Sequence, residues 1–364
     1  MTSSDIIRYR LYNQQISHFK FKRPEDVVRW MGAMQAQDFP GALWSVGLRT
    51  PNSTLADIQK ALADRKIVRT WPMRGTLHFI APKDIRWMLE LCAPRVVASA
   101  AGRRAQMDID EKAINRSKEL FENALRGNKQ LIRAEMIDTL EKGGIKTAGQ
   151  RGYHLLGHAA QTGLICFGPL QGRQQTFVLI DEWVAKTRKL ERDEAIRELL
   201  IRYFTSHGPA TLYDFAWWTG LKISDIRAGM ETVVKDLRQE VVEGKTYWMG
   251  KDLPELDHTP SAYLLPGFDE YMLGYKDRSD ALETLHSDKI VPGSNGMFLS
   301  TIVINGTVVG TWKKTIKKSG VAITLNPFVA LSKAEKDSLE QAANHYGKFL
   351  NIPIADGSLL IANS

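Results

Sequence analysis

The chain has 364 residues, more than one hydrophobic core comfortably holds, so about two to four folded units are expected. With 43% hydrophobic and 25% charged residues it has an ordinary globular make-up, and no run approaches the roughly 18 apolar residues of a membrane span. Lys and Arg exceed Asp and Glu by 49 − 41, a net charge of +8, which favours a polyanionic partner through phosphate contacts and counterion release.

Cys92 and Cys166 are far apart and have no companion at metal-ligand spacing, so neither a disulfide framework nor a zinc site is expected. The opening stretch MTSSDIIRYRLYNQQ lacks the apolar core of a secretory signal. A cytoplasmic protein fits both observations.

Along the chain the order helix, helix, helix, β-hairpin occurs three times. The first copy has helices at Asp5–Ser17, from Pro24 onward and at Thr54–Asp64. Pro24 suits a first turn, Glu25 and Asp26 suit the positive end of a helix, and Thr54 suits an N-cap. Strands at Ile67–Thr70 and Gly75–Ile80 flank Trp71-Pro72-Met73-Arg74, and a bridging helix at Pro82–Leu91 leads into the basic stretch around Arg103-Arg104. The second copy has helices at Glu111–Leu125, Ile132–Glu141 and Gln150–Gln161, then strands at Leu164–Phe167 and Thr176–Ile180. The third has helices at Arg192–Ser206, Leu212–Trp218 and Ser224–Val234, then a hairpin turning at Gly244-Lys245.

Three helices and a hairpin describe a winged helix, whose third helix commonly enters the major groove. After about Pro254 strands at Ser261–Leu265, Gly296–Ile304, Val308–Lys314 and Ala322–Leu325 are expected, with Asn305-Gly306 as a hairpin turn and one helix at Lys333–Tyr346. The fold expected is therefore α+β: three tandem winged-helix units followed by a β-barrel-like domain. The divisions are residues 1–109, 110–190, 191–254 and 255–364.

The string Met34-Gln35-Ala36-Gln37-Asp38-Phe39-Pro40-Gly41 is unusual. Residues two apart on an α-helix point some 200° away from each other and cannot share a target. Pro40 disfavours the α region at Phe39, so the second helix is expected to end just before it. If Gln35–Gln37 is non-helical, the two amides can converge on one group; otherwise they are surface glutamines at a polar helix end. Arg69, Trp71, Met73 and Arg74 form either a hairpin pressed against a minor groove or a wing packed on its own core. His78, on the apolar strand beside them, reads as a structural histidine.

Arg151, His154, His158 and Gln161 make one polar stripe on the third helix of the second copy, as a groove-facing helix or any solvated face would. His154 and His158 have the spacing of a zinc pair, but the Glu of H-E-x-x-H is missing and no third ligand suggests itself. Lys313-Lys314 and Lys317-Lys318 bracket a turn that either touches phosphates or is simply solvated. There is no Walker loop, G-x-S-x-G elbow or dinucleotide motif, and nothing demands a cofactor.

QAQDFPGALW (Gln35–Trp44), RTWPMRGTLHFIAP (Arg69–Pro82) and LLPGFDEYMLGYKDR (Leu264–Arg278), continued by Ile290–Lys313, resemble the AlkZ/YcaQ-type winged-helix DNA glycosylases. The resemblance spans nearly the whole chain. It implies a monofunctional, monomeric glycosylase that acts on duplex DNA carrying N-alkylated purines and unhooks interstrand crosslinks. It also implies an active-site Gln-x-Gln motif, here Gln35-Ala36-Gln37, while Asp38 lies one place beyond the Asp of the family's Gln-x-Asp form.

The chemistry is consistent with such a motif. Cleaving an N-glycosidic bond passes through an oxocarbenium-like sugar. A purine alkylated at N7 or N3 is already cationic and leaves without protonation, so positioning a water is the main demand. The two glutamines are expected to hold that water at C1′, each offering a carbonyl acceptor and an amide donor. DNA contacts are expected from Arg69, Trp71, Met73, Arg74, Arg103, Arg104, Arg151, His154, His158, Lys313 and Lys314. The alternative is a non-catalytic winged-helix transcriptional regulator, which would usually dimerise on a two-fold operator. An RNA-binding scaffold is a third reading, without an aromatic stacking motif to support it.

Overall fold

Helix starts in this chain follow from capping chemistry. Thr2 and Ser332 each accept a backbone N–H three residues on, while Asp5 and Glu335 return the bond to the cap N–H. Asp110 accepts from Ala113 N–H at 2.8 Å. The computed structural model describes residues 1–256 and 259–361. Its helices are α1 (Ser3–Asn13), α2 (Pro24–Met31), α3 (Phe39–Leu48), α4 (Leu55–Ala63), α5 (Ile85–Ser99), α6 (Ala101–Gln106), α7 (Glu111–Leu125), α8 (Arg133–Lys142), α9 (Arg151–Gln161), α10 (Ile180–Trp183), α11 (Arg192–His207), α12 (Leu212–Thr219), α13 (Ile223–Val233), α14 (Glu270–Leu273), α15 (Ser287–Ile290) and α16 (Lys333–Leu350). The strands are β1 (Ala33–Gln35), β2 (Val68–Met73), β3 (Thr76–Ile80), β4 (Leu131–Ile132), β5 (Ile165–Gln171), β6 (Gln174–Leu179), β7 (Leu237–Val242), β8 (Lys245–Gly250), β9 (Ala262–Leu265), β10 (Thr301–Ile304), β11 (Thr307–Lys317), β12 (Gly320–Pro327) and β13 (Ile354–Ile361).

The chain gathers into two compact units. One comprises Met1–Gln59, Arg197–Trp218 and Ile223–Ser364; the other comprises Lys60–Ile196 and Thr219–Lys222. In the second unit the strands run β3-β2-β5-β6-β4. Arg69 on β2 lies opposite Phe167 on β5, so the first two hairpins join in one sheet. Phe121 and Leu125 of α7, Met136 and Leu140 of α8 and Leu155 and Leu156 of α9 pack with Phe177 and Trp71 in one core. Truncating a fully buried Phe such as Phe121 costs about 3–5 kcal/mol.

In the first unit a sheet of order β13-β12-β11-β10-β9 carries α16. Asn305 and Gly306, both at positive φ, turn β10 into β11 as expected from sequence. The parallel pairing of β12 with β13 needs a crossover, and α16 supplies it. The barrel expectation is corrected: among the described residues the sheet is open, with β9 and β13 at its edges. The hairpin β7–β8 turns on Glu243-Gly244, one residue earlier than expected, because both accept positive φ there. Lys313 and Lys314 lie inside β11 and pair with Thr324 and Ile323, so they do not bracket a turn.

Candidate active site

The segment carrying the two glutamines is built by three consecutive conformational decisions. Gly32 at φ 77° ends α2, and the chain runs extended through β1, whose residues are all buried. A bend at Gln37-Asp38 then feeds α3, with Asp38 at the N-cap and Pro40 in the first turn. The expectation that Pro40 terminates a helix is thus corrected. It starts one, because a first-turn proline sacrifices no intrahelical bond. The helical stagger that would separate the two amides is removed. Gln35 is 8% exposed, whereas Gln37 is at the surface.

Behind the glutamines lies a buried polar network. The backbone N–H of Gln35 donates to Oε1 of Glu270 at 2.6 Å. Glu270 Oε2 accepts from Trp218 Nε1 at 3.0 Å and faces His207 Nε2 at 3.5 Å. His207 stacks on Tyr203 with ring centroids 4.8 Å apart, and its Nδ1 is 2.8 Å from Ser206 Oγ. Burial holds the His207 imidazole below its ordinary range, with Glu270 acting in the opposite sense.

The next residue back, Asp269, caps α14 through Tyr271 N–H and pairs bidentately with Arg49 at 2.7 and 2.8 Å. Ser45 Oγ donates to the same carboxylate at 2.6 Å. Arg49 also donates to the carbonyl and the side-chain oxygen of Gln14. Both members of the Arg49–Asp269 pair are fully buried.

Helix α3 is seated by Trp44, whose Nε1 donates to the Leu264 carbonyl and whose ring meets Tyr346 and Phe349 of α16. Two glycines permit this seating. A Cβ at Gly47 would fall 2.3 Å from the Phe349 ring, and one at Gly41 would fall 2.5 Å from Asp38 Oδ2.

A family model described as DNA glycosylase AlkZ-like matches residues 28–349, which include this whole segment. The chain belongs to the AlkZ-like DNA glycosylase family. It is 25% identical over 357 residues to an interstrand DNA cross-link repair glycosylase of Streptomyces sahachiroi, covering 94% of this chain and 95% of that protein. The solved structure of Streptomyces sahachiroi DNA glycosylase AlkZ has the same fold, with a TM-score of 0.83 at 24% identity over 100% of this chain and 99% of the other.

In this AlkZ-like chain the residues expected at DNA are distributed unevenly. The wedge expectation for Trp71 and Met73 is corrected to its packed alternative: Trp71 is 6% exposed and packs on Phe167, and Met73 is fully buried. Arg69 is buried too, donating to Gln175 Oε1 at 2.9 Å with its guanidinium 4.8 Å from the Phe167 ring centre. Arg74 is half-buried at positive φ beside His78, which is fully buried.

On α9 the stripe Arg151, His154, His158 and Gln161 is half-exposed, opposite the buried Leu155, Ala159 and Ala160. The structure brings it to the basic α6. Burial, then the charges of Lys118 and Arg104, push His158 down to about 4; burial, Arg103 and Arg104 lower His154. Arg103 is exposed, whereas Arg104 is 9% exposed. Lys313 is exposed, and Lys314 extends along Tyr346 with Nζ 5.1 Å from the ring centre.

Sequence reasoning missed Arg49, His207, Trp218, Asp269 and Glu270. The signal available was the acidic pair inside LLPGFDEYMLGYKDR, which carries no motif of its own. Both cysteines are buried free thiols, pushed up to about 12 by burial. Among the described residues no group of three or more His, Cys, Asp or Glu is arranged to hold a metal ion. No described helix is long and apolar enough to cross a membrane.

Proposed function

We propose that this chain hydrolyses the N-glycosidic bond of cationic N-alkylated purines in duplex DNA, with the attacking water held by Gln35 and Gln37. The observation that carries this reading is the Gln35 side chain. Its Oε1 is buried and has no hydrogen-bond partner among the described residues. Leaving a buried carbonyl unpaired costs about 1–3 kcal/mol, so a retained orphan acceptor marks a place for a donor such as a water O–H. Gln37, exposed on the bend two residues beyond Gln35, meets the same water from the surface side. Neither amide titrates near neutral pH, so the pair orients water without deprotonating it. The substrate must therefore bring its own activated leaving group, which a cationic purine does.

The similarity to the interstrand DNA cross-link repair glycosylase of Streptomyces sahachiroi supports extending the substrate to crosslinked purines. The recurring order of helices and hairpins supports three winged-helix units at residues 1–109, 110–190 and 191–254, followed by a β domain at 255–364. The enzyme acts as a monofunctional monomer in the cytoplasm, at the nucleoid.

The test is single-turnover release of 7-methylguanine from an alkylated duplex, with affinity measured in parallel. Gln35→Ala and Gln37→Ala are expected to lower the maximal rate by about 100-fold, the scale on which misplaced reactants lose rate, and to leave affinity nearly unchanged. Efficient excision of a neutral base such as uracil, or full activity in both variants, would overturn the reading.

A further inference from the structure

We propose that the consecutive carboxylates Asp269 and Glu270 are positioning residues for the water-holding glutamines, one gripping the helix after them and the other the strand before them. The inference rests on the function proposed above for Gln35 and Gln37, and deepens it.

Glu270 takes the backbone N–H of Gln35 itself, so the root of the first glutamine is pinned by a charge-assisted bond of 2.6 Å. Asp269 takes Ser45 Oγ and two Arg49 nitrogens, which fixes α3, the element that begins two residues after Gln37. Only Ala36, Gln37 and Asp38 lie between the two gripped elements. Both carboxylates are 1% exposed and stand at the start of α14, whose approach is held by Gly267 N–H bonding to Ser300 Oγ. A site that orients water needs its groups held within about 0.5 Å, and a surface bend such as Gln37-Asp38 does not provide that alone.

The choice of residue type at 270 is chemically specific. Its two oxygens face N–H donors from Gln35 and Trp218, so an acceptor-only group is required. A glutamine of the same shape would turn an NH2 group against one of those donors. Glu270→Gln therefore disturbs the grip on β1 without opening a cavity. Asp269 is equally committed, with four donors on its two oxygens.

The test combines Glu270→Gln with the glutamine variants in the single-turnover assay on methylated duplex. Glu270→Gln is expected to lower the maximal rate by about 10–100-fold while duplex affinity stays near that of the parent. In the Gln35→Ala/Gln37→Ala background the same change should have almost no further effect, since groups that act as a unit are strongly non-additive. A full additional loss in that background would show that Glu270 does not act through the glutamines, and an unchanged rate in the single variant would also overturn the proposal. If Glu270→Gln does not fold, Ser45→Ala decides, because it removes one bond from Asp269 to α3 and leaves the ion pair. A rate loss with unchanged affinity supports the grip, and a parental rate sinks it. If the double glutamine variant alone keeps its activity, the proposed function fails and not only this inference.

Discussion

Replacing Asp269 with Asn tests the physics of the network most directly. The substitution keeps the shape and removes the counter-charge of Arg49, a side chain that is itself fully buried. Four donors reach the Asp269 carboxylate: two from Arg49, one from Ser45 and one from Tyr271. An amide accepts through one oxygen only and presents its NH2 to the others. Breaking a buried pair by neutralising one partner costs about 3–5 kcal/mol, a large part of the roughly 5–15 kcal/mol that holds a typical domain together. With a urea m-value near 3 kcal/mol/M, this lowers the unfolding midpoint by roughly 1–1.7 M. Asp269→Leu/Arg49→Met, which removes both charges, should be less destabilised than Asp269→Asn, because apolar replacement of a whole pair is often neutral. A midpoint shift below about 0.3 M in Asp269→Asn, or a double variant worse than the single, would refute the reasoning.

Three further outcomes are expected. His158 is held near 4 in the folded chain against an ordinary 6.5, so the unfolded state binds the extra proton and stability falls as pH drops from about 6.5 to about 4. His158→Gln should lose fewer degrees of Tm than the parent between pH 7.5 and pH 5, and parallel losses would show that the shift is absent. Arg103→Ala and Arg151→Ala should each reduce the slope of log affinity against log salt by about 0.9 if each side chain neutralises one phosphate, which fluorescence anisotropy across a salt series would reveal. Finally, Lys314 is held below the ordinary lysine range by partial burial along Tyr346, with Asp38 acting the other way, which makes it the amine to watch for a Schiff base. A monofunctional enzyme leaves no borohydride-trapped adduct on abasic DNA. A trapped species lost in Lys314→Arg would establish a lyase activity instead.

The elements that were legible in sequence are those with local chemistry. α7 and the Asn305-Gly306 hairpin follow from caps and turn residues a few positions apart. β1 escaped because three residues carry no periodicity, and α3 escaped because proline was read as an end when it was a beginning. β13, a parallel edge strand after α16, likewise has no turn signal to announce it. Gln35 and Gln37 were expected from motif resemblance, but the residues that surround them were not foreseen. Nothing in the surroundings of Arg49 predicts a partner 220 residues away, and Glu270 lies 235 residues from the N–H that it binds. Trp71 and Met73 show the opposite error: a hairpin rich in Trp, Met and Arg looks adhesive in sequence, yet burial in a core explains the same residues.

The Arg49–Asp269 pair also bears on how the chain is made. A ribosome adding roughly 5–20 residues per second needs on the order of 10–45 s to travel from the codon for the guanidinium to the codon for its carboxylate. Throughout that interval α3, with eight buried residues in ten, has neither its counter-ion nor the α16 aromatics that cover Trp44. The nascent N-terminal segment therefore carries apolar surface that stays uncovered until α16 has been made. A message truncated between the codons for residues 49 and 269 yields a product that carries Arg49 without its counter-ion.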